Sequence, residues 1–280
     1  PLPVWLGRRG CELVGAEQSA KGDAMALGIC TATVMVDPLA ATEADIRAGG
    51  EALVAAGVHD ASVWTFHIPA LAGLGLHIEV VEAASGWADT DAADAAAEAE
   101  QLAQTAKEVG ASKIAAITLE PTLADLGHAR DNLAILVAAA TDVGAQVVVE
   151  FLPWSGIPDR ATAGELVEPL GAGAGIRVDA WHWVRQPGGP DFELLARIPG
   201  ERIGYVQLCD AAAQPGDDVM HEALAHRLLP GDGVVDFGAL LGQLEAIGSL
   251  PSFPAEGFSP GLLNRHGAVG AASMMADAAG

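Results

Sequence analysis

Basic residues are scarce in this chain and nowhere clustered. Lys and Arg number 14 against 37 Asp and Glu, a formal net charge of −23, and a field of that sign repels phosphate backbones unless a local basic groove overrides it. With no such groove, neither nucleic acid nor an anionic membrane surface is an expected partner. Long apolar runs are missing too: Gly, Pro or a charge interrupts each before the roughly 18 residues that a membrane span needs. The opening PLPVWLGRRGCELVG lacks the basic-then-apolar order of a signal peptide, so the sequence reads as a soluble cytoplasmic protein. Its three cysteines, Cys11, Cys30 and Cys209, are odd in number and far apart. Without C-x-x-C or metal-ligand spacing they read as reduced structural thiols. No Pro/Ser/Gly linker or break in composition divides the 280 residues.

What the chain has is a 51% apolar composition, enough to bury a substantial core. Apolar β-branched runs alternate with Ala-rich segments of helical spacing, the signature of repeated βα units. Strands are predicted at 26–34, 60–67, 76–82, 113–119, 146–152, 175–179, 202–208 and 252–257. Helices are predicted at 40–57, 91–109, 126–142, 161–169, 191–198 and 236–247, with Gly110 and Gly144 as stops. The connection between the second and third strands is too short for a full helix. Eight strands with intervening helices favour a single-domain α/β fold over 1–280, a (β/α)8 TIM barrel, against a doubly wound sheet. Residues 1–25 form an N-terminal extension without assignment. The stretch 210–234 reads as a long active-site loop, because loops beyond about 12–15 residues are usually functional or disordered.

Strand C-termini gather on one face of such a barrel, so polar residues at those ends converge. VVVEFLPW ends in Glu150, GIRVDAWHW carries Asp179, GYVQLCD carries Gln207 and PAEGFS carries Glu256. The first three follow one another at intervals of 29 and 28 residues, each close to one βα unit. Three carboxylates and an amide oxygen form a hard oxygen set suited to one divalent cation, Mn2+ or Mg2+, with Co2+ or Zn2+ less well matched. Burying the three acids without a counter-ion would be costly, since each ion desolvated alone loses several kcal/mol. Taken singly, each could be a solvated strand-end acid. His67 and Glu82, ending the second and third strands, would face the same mouth. Trp64, Trp154, Trp181 and Trp183 could wall a pocket or simply fill the core. His221 and His226, in the long loop, read as solvated.

Five motifs in this order, VVVEFLPWSGIPD, VDAWHWVRQPG, IGYVQLCDA, RLLPGDGVVDF and PAEGFS, resemble strands 5 to 8 of the xylose isomerase-like TIM-barrel superfamily. The likeness is in particular to its sugar phosphate isomerase/epimerase branch, related to AP endonuclease family 2. The match is dense over 146–260 and follows only the general layout before that. It implies metal ligation by Glu150, Asp179, Gln207 and Glu256. It also implies that His182 of D-x-x-H reaches a substrate oxygen and that Arg227 of R-x-x-P-G-x-G contacts substrate. Trp154 and Trp181 would lie beside them. Many members carry His where Gln207 stands; a Gln there resembles the 3-dehydroshikimate dehydratase-like members.

The activity so implied is a metal-dependent isomerase or epimerase acting on a keto-sugar or related polyhydroxy carbonyl compound through an enediolate. Glu150 and Glu256 would serve as base and acid on opposite faces of the substrate carbon, with His182 as a further catalytic group. The first alternative is a dehydratase of the 3-dehydroshikimate or inosose type. A metal-dependent endonuclease shares the fold, but the region HRLLPGDGVVDF lacks the D-x-H pair that enzyme type needs. A non-catalytic barrel subunit is the remaining reading. Members of the superfamily pair through barrel helices, which implies a homodimer or homotetramer.

Overall fold

The computed structural model describes residues 28–249 and 251–280. Cys11, the extension 1–25 and the first two residues of the strand predicted at 26–34 lie outside them. In chain order the elements are β1 (Gly28–Cys30), α1 (Glu43–Ala55), β2 (Asp60–Trp64), α2 (Ile68–Leu71), β3 (His77–Ala84), α3 (Ala92–Val109), β4 (Lys113–Ala116), α4 (Leu126–Asp142) and β5 (Gln146–Glu150). They continue with α5 (Arg160–Val167), β6 (Ala174–Asp179), α6 (Ala180–Arg185), α7 (Phe192–Leu195), β7 (Ile203–Gln207), α8 (Val219–Ala225), α9 (Phe237–Ala246) and α10 (Pro260–Ala279). The seven strands lie parallel in sequence order, as repeated βα units require.

The eighth predicted strand, 252–257, is not a regular one. Ala255 nevertheless bridges Ile29 on one side and Leu208 on the other. Cys30 donates its backbone N–H to Ala255 and Ala255 donates to Gly28, while Leu208 donates to Pro254 and Glu256 donates to Leu208. The cylinder is therefore closed. Pro251 and Pro254 have no N–H to give, which reduces the closing segment to isolated bridges and still delivers Glu256 to the C-terminal rim.

Local chemistry sets the helix limits. Thr42 and Asp45 form a capping box at the start of α1, and the Asp91 carboxylate accepts from two amides at the start of α3. Gly110, with φ 75°, ends α3 in the left-handed region, where the missing Cβ removes the penalty. The main core fills the space between sheet and helices. Inside the cylinder a smaller apolar plug of Val80, Ala115, Val148 and Tyr205 supports the polar layer above it. Strand β6 shows the division: Ile176 and Val178 join the outer core, while Arg177 and Asp179 alternate with them and point inward.

Five of the seven strands end earlier than predicted, while β6 ends at Asp179 as expected and β3 runs on to Ala84. Short 3-10 turns follow β1 at Thr31–Val34 and β2 at Thr65–His67. Four helices have no counterpart in the predicted set: the single turn α2, and α6, α8 and α10. The stretch 210–234, expected as a loop, contains α8 and is tied down by Asp210, whose carboxylate accepts from the amides of Ala211, Gly231, Gly233 and Val235. Among the described residues no helix is long and apolar enough to cross a membrane.

Candidate active site

At the C-terminal face the barrel opens into a cavity of about 460 Å3, within the range of small-molecule sites. Seven predicted residues, Trp64, Glu82, Glu150, Trp154, His182, Arg227 and Glu256, line it. The rest lie elsewhere. Asp179 and Gln207 are fully buried and do not line the cavity. His67, expected at the mouth, is buried with Nε2 3.2 Å from the Pro38 carbonyl and its ring against Trp64. Trp181, also fully buried, gives its indole N–H to Glu222 at 3.3 Å. Trp64 walls the cavity, whereas Trp183 is packed against Phe192. His221 and His226 are paired ring to ring in the α8 region, their bond an exposed one.

D-x-x-H is a helix start. Asp179, the last residue of β6, caps α6 by accepting from the His182 amide at 2.9 Å. The cap fixes His182 one turn on, where Nδ1 stands 3.2 Å from Glu150 Oε1 and the ring meets Trp154 edge-on.

One central residue escaped sequence reasoning. Arg177, 1% exposed, fills the middle of the layer. It approaches Glu82 at 3.1 Å, Glu150 at 3.5 Å and Glu256 at 3.4 Å, and donates Nε to Gln207 Oε1 at 2.7 Å. The signal for it was the two-residue strand period: a charge at 177 shares the inward face of Asp179. Arg227 is buried likewise, 2.6 Å from Asp179 and 3.0 Å from Glu256, so it is no surface ion-pair partner.

These charges set the protonation pattern. Burial pushes Glu150 upward, but Arg177 and His182 together hold it below the usual carboxylate range. Asp179 is brought down to about 2, with burial opposing and Arg227 and His182 prevailing. For Glu256 burial wins over Arg227 and Arg177 and raises it to about 7. Burial also raises the Cys209 and Cys30 thiols, which leaves both unreactive.

The donor set fits a divalent cation. Four buried carboxylates, Glu82, Glu150, Asp179 and Glu256, face two guanidinium groups, an acidic excess that one dication offsets. Glu82 Oε1, Glu150 Oε1 and His182 Nδ1 are buried without a well-formed hydrogen bond, a costly condition unless something else meets them. Glu150, Asp179 and His182 offer ligand atoms within 4.8 Å of one another, as do Cys30, Glu82 and Glu256. Of the four expected ligands, then, Glu150 and Asp179 come together with His182. Gln207 spends its oxygen on Arg177 and its amide N–H on Glu256 at 2.9 Å.

The profile of the xylose isomerase-like TIM barrel family matches residues 31–277. No curated protein sequence matches the chain. Among solved structures, an IolI protein with a bound zinc atom superposes with a TM-score of 0.75 at 19% identity, over 91% of this chain and 96% of its own. D-allulose 3-epimerase from Methylomonas sp. in complex with D-allulose gives 0.67 at 16% identity, over 90% and 95%. A xylose isomerase-like TIM barrel/4-hydroxyphenylpyruvate dioxygenase fusion protein gives 0.74 at 19% identity over 91% of this chain. Only 42% of that longer protein is spanned. At these identities the likeness is one of fold.

Proposed function

We propose, since this chain belongs to the xylose isomerase-like TIM-barrel family, that it is an isomerase or epimerase moving a proton at a carbon next to a carbonyl. The observation that carries this reading is the convergence of Glu150, His182, Arg227 and Glu256 on the floor of one cavity. A divalent cation bound there would polarise the carbonyl and favour negative charge on its oxygen.

Glu150 and Asp179 would hold the cation with His182 nearby, and Glu256 and Gln207 would complete the set expected from the sequence once released from Arg177. Mn2+ or Mg2+ suits the oxygens, and Zn2+ suits a set that includes imidazole nitrogen. Glu150, kept ionised by Arg177 and His182, is placed to take the proton. Glu256, able to carry a proton near neutral pH, is placed to return one, so the two carboxyl groups divide base and acid roles. Arg227 adds positive charge where the substrate oxygen becomes anionic.

Return of the proton to the opposite face of the same carbon epimerises, and return to the neighbouring carbon isomerises. Expulsion of a β-hydroxyl would make the protein a dehydratase, with His182 as the acid. The deciding experiment incubates the metal-loaded protein in deuterated water with keto-sugars, inososes, 3-dehydroshikimate and an aryl hydroxy-ketone. Solvent deuterium in an isomeric product is the expected result. Loss of water with a new ultraviolet chromophore would mean a lyase, and no change in any compound would count against the proposal.

A further inference from the structure

The walls of the cavity differ in kind from its floor. Four separate segments each send an apolar side chain to it: Leu39 after β1, Phe66 after β2, Leu119 after β4 and Met220 from α8. These are 68%, 57%, 59% and 46% exposed, and a contiguous exposed apolar patch around a pocket marks a binding surface. Trp64, Trp154 and Phe258 line the same cavity. Away from the charged floor, the lining offers few side-chain polar atoms: the hydroxyls of Thr65 and Ser85, the indole N–H of Trp64, and the buried indole N–H of Trp154, which has no acceptor.

A keto-sugar carries a hydroxyl on nearly every carbon, and each hydroxyl taken from water without a partner weakens binding. Stacking of one sugar face on an aromatic ring would still leave its rim of hydroxyls unmet here. We infer that the substrate is amphipathic. On the enolising reading of the floor, its head is a carbonyl with an adjacent hydroxyl, met by Glu150, His182, Arg227 and Glu256. Its body is a flat apolar group, an aryl ring or cyclic hydrocarbon, lying between Trp154, Phe66 and Leu119. The free indole N–H of Trp154 serves one oxygen near the junction of head and body.

The test compares two probes of similar size on the Mn2+-loaded protein by titration calorimetry: 2-hydroxyacetophenone, which joins this head to a phenyl ring, and D-allulose, a polyol. The expected result is binding of the aryl probe at least about tenfold more tightly, from the apolar area it buries. Substitution of Phe66→Ser together with Leu119→Ser is expected to remove most of that preference while Mn2+ affinity stays unchanged, since both positions are more than half exposed and off the floor. Equal or tighter binding of D-allulose overturns the inference, as does failure of the aryl probe to bind at millimolar concentration or a preference that survives the double substitution. So does a dimer that dissociates in the double variant without loss of ligand preference, for then the apolar ring serves a second copy of the chain. Exchange of the probe's hydroxymethyl protons with deuterated water is followed separately. An aryl preference without exchange supports the amphipathic pocket and removes the enolising reading alone.

Discussion

Arg177 donates its Nε to Oε1 of Gln207 at 2.7 Å, inside the barrel and 1% exposed. The bond decides which way round the amide lies, and so Gln207 gives an N–H to Glu256 at 2.9 Å. A fixed positive charge thus sits among Glu82, Glu150 and Glu256, sharing with Arg227 the task of balancing the buried acids.

Replacing Arg177→Met should therefore act in two directions. Removing one partner of a buried ion pair costs about 3–5 kcal/mol, so the metal-free variant should melt well below the wild type. The acids left uncompensated should bind Mn2+ more tightly, and Mn2+ should raise the variant's Tm by more than it raises the wild type's. Differential scanning calorimetry with and without Mn2+ checks both; an equal metal-induced rise in the two proteins would show that Arg177 and the ion do not share the same carboxylates.

Glu150 lies where the proposed metal and acid–base roles meet. Glu150→Gln preserves shape while removing the charge, and the expected outcome is loss of turnover with retention of the fold. Binding of about one Mn2+ per chain is expected for the wild type, as coordination by a single cluster implies, and markedly weaker binding for the variant. Titration of Mn2+ followed by electron paramagnetic resonance measures this directly. Unaltered Mn2+ affinity in Glu150→Gln would move the ion to the Cys30, Glu82 and Glu256 group.

The segment 210–234 is latched by Glu222. Its carboxylate accepts from Arg185 at 2.6 Å, from the Gly216 amide at 2.7 Å and from the Trp181 indole. Burial works against ionisation, but Arg185 and Gly216 prevail and hold Glu222 below its ordinary range. A carboxyl group whose folded pKa is depressed contributes stability above its unfolded value and loses that contribution as pH falls through the folded one. Amide-exchange protection over 210–234 should therefore drop below about pH 4.3. Glu222→Gln should lower it already at neutral pH, by about 1–3 kcal/mol of local stability. Protection independent of both would show that the Asp210 network alone holds the segment.

Much of this was legible in the sequence because barrel strands announce themselves by short apolar runs at one-unit spacing. Glu150, Asp179 and Glu256 are legible as strand-end acids, and Gly110 as a helix stop. Arg177 was hidden inside the run Gly175 to Val178, where its neighbours Ile176 and Val178 serve the outer core and only the alternation of faces sets it apart. The eighth strand was legible as a segment but not as an irregular one, since Pro254 blocks a ladder that only tertiary pairing to β1 and β7 reveals. Helix α10 escaped because Gly261, Gly267 and Gly270 dilute its pattern, and Gly267 breaks it with φ 68°. His67 sits at the right strand end, yet the turn after β2 sends its ring to the Pro38 carbonyl, away from the mouth.

The central claim is that the floor of the cavity removes a proton beside a carbonyl with help from a divalent cation. The most direct measurement is solvent deuterium entry at that carbon of a bound hydroxy-ketone, followed by NMR in three samples: metal-loaded protein, protein in excess EDTA, and the EDTA-treated protein resupplied with Mn2+. Exchange that stops with the chelator and returns with the ion is the expected result, whereas exchange at the same rate in all three would contradict it.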